Sequence, residues 1–148
     1  MTGVAAGSCG VTANQAGNSN FSAAPAALLT IVIGTRVVPS AAFSGTRQFS
    51  EYVGVASAPQ VFTLTNTSPG PIALTTVGLT TNGTGDFAIV GGSDACSGTV
   101  LAAGASCTIG VTFTPKAIGT FIATLAASSS TPGAPAPLTI IGLVGVGR

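Results

Sequence analysis

This sequence has very few charged residues. Only 5% of its 148 residues are charged, and it has no His and no Trp, whereas ordinary soluble domains carry about 25% charged residues. Without histidine, one chain cannot form a Ser-His-Asp or Cys-His arrangement. Four dispersed cations make no basic patch for nucleic acid. We therefore expect a non-enzymatic protein with no cofactor and no nucleic-acid partner.

The low charge is combined with abundant Val, Ile and Leu, a balance that argues against disorder. A net charge of +1 gives copies of the chain little mutual repulsion. The surface must then consist of hydroxyls, glycines and small apolar groups. These features favour a folded chain whose surface is covered by neighbours, or one that works outside the cytoplasm.

Long apolar runs are also missing. The longest, residues 23–33, contains Pro25 and Thr30 and is far shorter than the roughly 20 residues that a bilayer requires, so we expect no membrane span. Met1-Thr2-Gly3-Val4 has neither the basic nor the apolar region of a secretory leader. We expect either use without Sec export, as for a virion protein, or a leader replaced by Met1.

The clearest positive signal is the stretch Leu101–Pro115. Cys107, Ile109, Val111 and Phe113 alternate with smaller or polar residues, the period of two that places one face of a strand on a core. A turn signal precedes the strand, and Pro115, which has no N–H to donate, ends it. This stretch predicts a half-buried β-strand.

The same alternation, separated by turn signals, recurs from Arg36 onward. It predicts further strands at these ranges: 49–54, 61–66, 72–79, 86–90, 121–127 and 138–146. Short strands at this spacing are typical of a β-sandwich, and no helix is expected. We predict an all-β, immunoglobulin-like sandwich of seven to nine strands over residues 36–148.

Residues 1–35 form the N-terminal extension of this sandwich. Residues 1–22 are small and polar and predict a flexible arm. The run at 26–34 lacks polarity on either face, as expected of a strand covered on both sides. It is interpreted either as the first strand of the same sandwich or as a strand donated to a neighbour. The candidate contact residues are Leu28, Leu29, Ile31 and Ile33.

Three cysteines are present. Cys96 and Cys107 enclose a short loop whose turn could bring their Cα atoms within bonding range, so we expect a structural disulfide. Cys9 is left over. It is either an inert free thiol in a mobile arm or the site of an intermolecular bridge.

The carboxylates give little sign of a metal or catalytic site. Two thiolates without histidine fall short of the four ligands of zinc, and we expect no metal. Asp86 stands before a strand and Asp94 in a Gly/Ser loop. Both are interpreted as turn residues with Asx-type hydrogen bonds. A shared Ca²⁺ is the alternative, although two carboxylates are sparse for it.

A set of short motifs resembles the ASH / Hydin-like immunoglobulin-like family, called choice-of-anchor D in bacterial sequences. The resemblance covers residues 36–148, and GASCTIGVTFTP, with a Cys eleven positions before its own, is its most specific part. The other matching pieces are Phe49…Gly54…Ser57, Leu64-Thr65-Asn66, Gly85-Asp86-Phe87, Gly119-x-x-x-Ala123-x-Leu125 and Gly142-x-x-Gly145-x-Gly147. The resemblance implies a sandwich that serves as a structural or interaction module without an active site, usually in tandem in secreted or surface chains.

Together these observations favour a structural subunit that packs with copies of itself or a scaffold in a virion shell, decoration layer or surface fibre. The expected location is a virion, a cell surface or the extracellular space. The alternative is a binding module of a secreted or surface protein that recognises a glycan or protein through its loops. Against it, Tyr52 is the only Tyr and there is no Trp, although binding surfaces favour both residues.

Overall fold

The structure is a computed structural model that describes residues 7–34, 37–81 and 86–148. The chain divides into two compact units, Met1–Arg36 and Val37–Arg148. Every regular element in the described ranges is a β-strand, so the all-β prediction is confirmed. Thr35 and Arg36, at the expected domain boundary, lie outside the described residues.

The first unit contains an antiparallel hairpin of β1 (Gly7–Gln15) and β2 (Ala24–Ile33). Its turn is closed by Asn18, whose side-chain oxygen accepts hydrogen bonds from the backbone N–H groups of Asn20 and Phe21. The expectation of a flexible arm over residues 1–22 is wrong for Gly7–Gln15. Small residues in β1 weaken its alternation, but they pair with β2 through an unbroken register from Gly7 to Ala13.

The interpretation of β2 as the first strand of the sandwich is wrong, because β2 belongs to neither sandwich sheet; its donation to a neighbour stays a prediction. Leu28, Leu29 and Val32 are 70%, 62% and 76% exposed. The partner strand of β2 is β1, and the two form a separate two-stranded sheet. The apolar run therefore marks a strand whose large side chains are exposed among the described residues.

The second unit contains nine strands within the described residues. They are β3 (Ala41–Ser44), β4 (Gln48–Glu51), β5 (Gln60–Asn66), β6 (Ile72–Thr81), β7 (Phe87–Ile89), β8 (Val100–Leu101), β9 (Ser106–Phe113), β10 (Gly119–Ser129) and β11 (Thr139–Gly147). One sheet has the order β4-β11-β10-β6-β8 and the other β3-β5-β9-β7. All pairs are antiparallel except β4 with β11. This arrangement confirms the predicted immunoglobulin-like sandwich.

The core lies between the two sheets and is centred on β9. Ile109, Val111 and Phe113 are fully buried and Cys107 nearly so, as the alternation predicts. The Phe113 ring contacts Phe87 of its own sheet at 4.7 Å between ring centres and Phe121 of the opposite sheet at 5.8 Å. The ring planes are tilted by 39° and 53°, and aromatic pairs at such distances stabilise a core beyond the area they bury.

Two glycines of β11 allow this packing. A Cβ added at Gly145 would lie 2.5 Å from the Phe113 ring, and one at Gly147 would overlap the backbone carbonyl of Ala117. Gly142 belongs to the same strand, but a Cβ there would meet nothing within 4 Å. Gly145 and Gly147 are therefore required by core packing, whereas Gly142 leaves open space on the outside.

We expect Gly145→Ala to destabilise the sandwich by about 1 to 3 kcal/mol, because the added methyl group overpacks a core whose aromatic ring is held on several sides. Gly142→Ala is the matched control. It should be neutral or stabilising by up to about 1 kcal/mol, since alanine costs less backbone entropy. Urea unfolding of both variants measures the difference, and equal stabilities would contradict this account of Gly145.

Candidate functional site

A disulfide joins Cys96 to Cys107, with 5.2 Å between their Cα atoms. It ties the loop after β7 to the start of β9. Both residues are buried in the core, and the Ala95 N–H donates to the Thr108 carbonyl oxygen beside them. The bond therefore forms part of the sandwich interior, as a structural cross-link would.

Removal of this cross-link in Cys96→Ala/Cys107→Ala should lower the free energy of unfolding by about 3 kcal/mol, because the unfolded chain regains the freedom of the closed loop. Cys9→Ala is the control and should leave stability unchanged, since Cys9 is a free thiol. Urea unfolding at neutral pH measures both. A double variant as stable as the control would show that the bond contributes nothing.

Asp94 lies two residues before Cys96, and its side chain forms an Asx turn. Its Oδ1 accepts hydrogen bonds from the backbone N–H groups of Cys96 at 2.8 Å and Ser97 at 2.9 Å. Burial opposes its charged form, but hydrogen bonds from the side chain and backbone of Ser97 and the backbone of Cys96 outweigh it. The pKa of Asp94 is therefore lowered from its usual 3.8.

This lowered pKa predicts a pH dependence of stability. The ionised Asp94 contributes stability above pH 3.8, the value in the unfolded chain, and that contribution is lost as pH falls through the lower folded pKa. The wild type should thus lose its stability advantage over Asp94→Asn on acidification from about pH 5 to 2. Urea unfolding across this range provides the test, and parallel curves would contradict it.

Asp86 is buried, and its backbone and side chain both accept hydrogen bonds from the segment that follows β9. Its carbonyl oxygen accepts from the Thr114 N–H at 2.7 Å, and its Oδ1 accepts from the Lys116 N–H at 3.2 Å. Neither aspartate joins a group of three or more metal-ligating side chains in the described ranges. The Asx-type interpretation is confirmed for Asp94, but it is wrong for the Oδ1 of Asp86, which accepts from a backbone N–H 30 positions away and so joins two distant segments.

The hairpin has two unlike faces, because alternate residues of a strand point to opposite sides. One face combines the cross-strand pairs Cys9–Ile31 and Val11–Leu29 with Ile33; we call these five residues the hairpin face. The opposite face pairs Ser8 with Val32 and Thr12 with Leu28. The four predicted arm residues are thus divided between the two faces. Leu29, Ile31 and Ile33 lie on the hairpin face, and Leu28 lies on the opposite face.

Cys9 lies on the hairpin face as a half-buried free thiol. An intermolecular bridge through Cys9 stays a prediction.

A second surface was missed by sequence reasoning. The outside of the five-stranded sheet carries a shallow groove of about 480 Å³ lined by nine residues of β4, β6, β10, β11 and their flanks. We call it the outer groove. Its lining residues are Arg47, Gln48, Thr80, Ile122, Ala123, Thr124, Gly142, Leu143 and Val144.

Three cross-strand relations give the outer groove its shape. Ile122 pairs with Val144 and forms an apolar ridge, and Ile122 is 52% exposed. Thr124 pairs with both Gly142 and Thr80, which makes a row of small residues beside the ridge. Outward-pointing apolar residues of β10 and β11 are the sequence signal that could have indicated this surface.

Both surfaces are nearly free of charge. Residues 7–34 contain no charged residue, and Arg47 is the single charged residue that lines the outer groove. Removal of water from either surface therefore requires almost no loss of ion hydration, which is the costly part of burying polar surface.

No helix within the described ranges is long and apolar enough to cross a membrane.

Comparison with known proteins shows a fold and no family. No family model and no curated protein matches the chain. Among solved structures, the secreted serine protease VesC from Vibrio cholerae is 19% identical over 74% of this chain and 23% of that chain, with a TM-score of 0.52. E. coli alpha-2-macroglobulin is 19% identical over 97% of this chain and 8% of that chain, at 0.51.

The ASH / PapD-like domain 7 of human CEP192 also matches, at 10% identity over 74% of this chain and 85% of that chain, with a TM-score of 0.49. A score this low carries no argument about the ASH type, which stays a prediction. The chain spans about a quarter of VesC and less than a tenth of the macroglobulin. At such identities the likeness concerns fold alone, and this fold is an immunoglobulin-like β-sandwich, which serves many functions.

Proposed function

We propose that this chain is a non-enzymatic structural module that packs with copies of itself, or with a scaffold, through its N-terminal hairpin. The observation that carries the proposal is the exposure of large apolar side chains on both strands of the hairpin, including Val11, Leu29 and Ile31.

A two-stranded hairpin without a covering layer is marginally stable in water. Each large apolar side chain of the hairpin that becomes fully buried contributes about 1.5 to 3 kcal/mol. Several such side chains lie on the hairpin face, so a covering surface would stabilise both the hairpin and the complex. Self-association supplies such a surface without a second kind of chain.

The scarcity of charge supports the same proposal. Like-charge repulsion limits the association of ordinary soluble domains, but a chain with a net charge of +1 has little of it. The shell, decoration layer or fibre of the sequence analysis is a setting in which each copy is surrounded by neighbours.

An oxidising location fits this setting. Disulfides persist in secreted, surface and virion proteins and are rare in the cytosol, and the Cys96–Cys107 bond is buried within the sandwich. We therefore place the module in the extracellular space, at a cell surface or in a virion. A tandem arrangement within a longer surface chain, as in the ASH / Hydin-like family, belongs to the same proposal.

A loop-mediated binding module is the second candidate, and one observation favours it. Tyr52 is 67% exposed, and the Arg148 guanidinium lies over its ring at 5.9 Å from the ring centre. Val53 and Val55 are exposed in the same loop. Tyr and Arg are enriched at binding hot spots, so a glycan or protein ligand would contact this loop. Tyr52→Ala should then abolish ligand capture and leave assembly intact.

For the assembly proposal, the wild-type protein should exceed the monomer mass of 14.1 kDa in light scattering behind a sizing column. Leu29→Lys/Ile31→Lys should return it to the monomer, because two charges would be buried in an apolar contact. Val61→Lys is the control, as Val61 is an exposed strand residue of the sandwich.

A wild-type protein that stays monomeric at all concentrations would overturn the assembly proposal. A lysine variant of the hairpin that retains the wild-type mass would do the same. Thermal unfolding of the variants checks that the sandwich itself remains folded.

A further inference from the structure

We propose that the edge of β11 beside Arg47 binds the free C-terminus of another polypeptide. The ligand adds to the five-stranded sheet as a short parallel strand, a mode known as β-strand addition, and its terminal carboxylate contacts the Arg47 guanidinium. The site goes beyond the proposed assembly through the hairpin and does not depend on it.

β11 is longer than the strand that covers the edge facing away from β10. It runs from Thr139 to Gly147, whereas β4 pairs with it only from Val144 to Gly147. Among the described residues, no backbone hydrogen bond reaches Thr139–Leu143 from the side of β4. We call this uncovered stretch the edge slot.

The backbone groups of the edge slot have a defined direction. The Val144 N–H points away from β10, because it donates to the Arg47 carbonyl oxygen at 2.8 Å. Backbone groups alternate along a strand, and the register of β11 with β10 is unbroken from Thr139 to Gly147. The N–H and C=O groups of Ile140 and Gly142 therefore point into the edge slot.

Arg47 closes one end of the slot and sets the direction of the ligand. β4 is parallel to β11 and begins at Gln48, one residue after Arg47, so a strand in line with β4 must stop before Arg47. A parallel strand ends there with its C-terminal carboxylate, whereas an antiparallel strand would begin there with its ammonium group. Opposite charges attract and like charges repel, so the guanidinium favours the parallel strand.

The charge of the outer groove also selects a carboxylate. Arg47 and Gly142 both line this groove, and Arg47 is the single charged residue among the nine that do. A guanidinium matches a carboxylate through two parallel N–H···O hydrogen bonds. The hairpin of a second copy would supply no such anion, since residues 7–34 contain no charged residue.

The last side chain of the ligand has room beside Gly142. Opposite residues of neighbouring strands point to the same face of a sheet, so a terminal residue opposite Gly142 lies on the outer face. A Cβ at Gly142 would meet nothing within 4 Å, and the Ile122–Val144 ridge lines the same groove. An apolar terminal residue such as leucine fits this position.

The edge of β6 is the competing site, and it is less suited to this ligand. β8 pairs only with Ile72 and Ala73, but the Val77 N–H beyond them donates to the Ser97 Oγ at 2.8 Å. Ile72–Thr81 contains no charged residue and thus no partner for a carboxylate. Of the two edges, that of β11 combines open backbone groups with a cation.

The test titrates the full chain with a peptide, Gly-Val-Thr-Val-Leu, labelled with fluorescein at its N-terminus and followed by fluorescence anisotropy. The free acid should bind, and the C-terminal amide should bind about tenfold or more weakly, because hydrogen bonds between charged groups are the strong ones. Arg47→Gln should weaken the free acid by the same factor and leave the amide unchanged.

Val61→Glu is the matched control for the loss of one positive charge. It lowers the net charge by the same amount on an exposed position of the other sheet and should bind both peptides like the wild type. Thermal unfolding confirms that each variant is folded.

Two measurements report the backbone pairing separately from the charge. The peptide should slow amide hydrogen exchange at Ile140 and Gly142 and leave Val144, whose N–H is already bonded, unchanged. N-methylation of the valine before the terminal leucine should abolish binding, because that N–H faces the Ile140 carbonyl oxygen in a parallel pair. N-methylation of the leucine, whose N–H faces away, is the control and should have little effect.

Each contrary result would overturn the site. Equal binding of acid and amide, or of the acid to wild type and Arg47→Gln, would remove the role of Arg47. An amide ending in aspartate that binds as tightly as the free acid would assign Arg47 to side-chain carboxylates. Slow exchange at Ile140 and Gly142 without peptide would show an edge already covered, by the chain itself or by a second copy. No binding at millimolar peptide would also exclude the site, and none of these results bears on assembly through the hairpin.

Discussion

The contact between the Phe113 ring and the bare backbone of Gly145 fixes the distance between the two sheets. Phe113 lies on β9 of one sheet and Gly145 on β11 of the other. Because Gly145 has no side chain, β11 can approach the ring closely, and Phe49 and Phe121 complete the ring's surroundings. The same strand carries Gly142 and Val144 on its outer side, so the packing of the core also sets the shape of the outer groove.

Most of the sandwich could be predicted from the sequence because its long strands alternate strongly. The predicted ranges overlap β5, β6, β7, β9, β10 and β11, and β4 begins one residue before its predicted start. β3 and β8 were missed, since four and two residues are too few to display a period. β1 was missed for another reason. Its small residues look like a linker, and its strand character comes from pairing with β2.

The candidate surfaces were less accessible to sequence reasoning. The disulfide was predictable, because it joins residues separated by 11 positions and the turn between them has a local sequence signal. The sequence did not distinguish the two faces of β2, because Leu28 and Leu29 are adjacent and equally apolar. They lie on different faces, and only their partners in β1, Thr12 and Val11, show which face is apolar on both strands. The groove combines Gln48 with Val144, which meet through a parallel pairing of distant segments, and no local pattern reports such a pairing.

That parallel pairing has a consequence for synthesis on the ribosome. β4 pairs with the last strand of the sandwich, a non-local contact of the kind that delays folding, so Phe49 and Phe113 lack their final neighbours until β11 has emerged. The hairpin is a local element and can form early. Because Gly142 and Val144 belong to β11, the outer groove is completed by the same strand that closes the core. A nascent chain would therefore carry its hairpin while the sandwich still lacks both its closing strand and its outer groove.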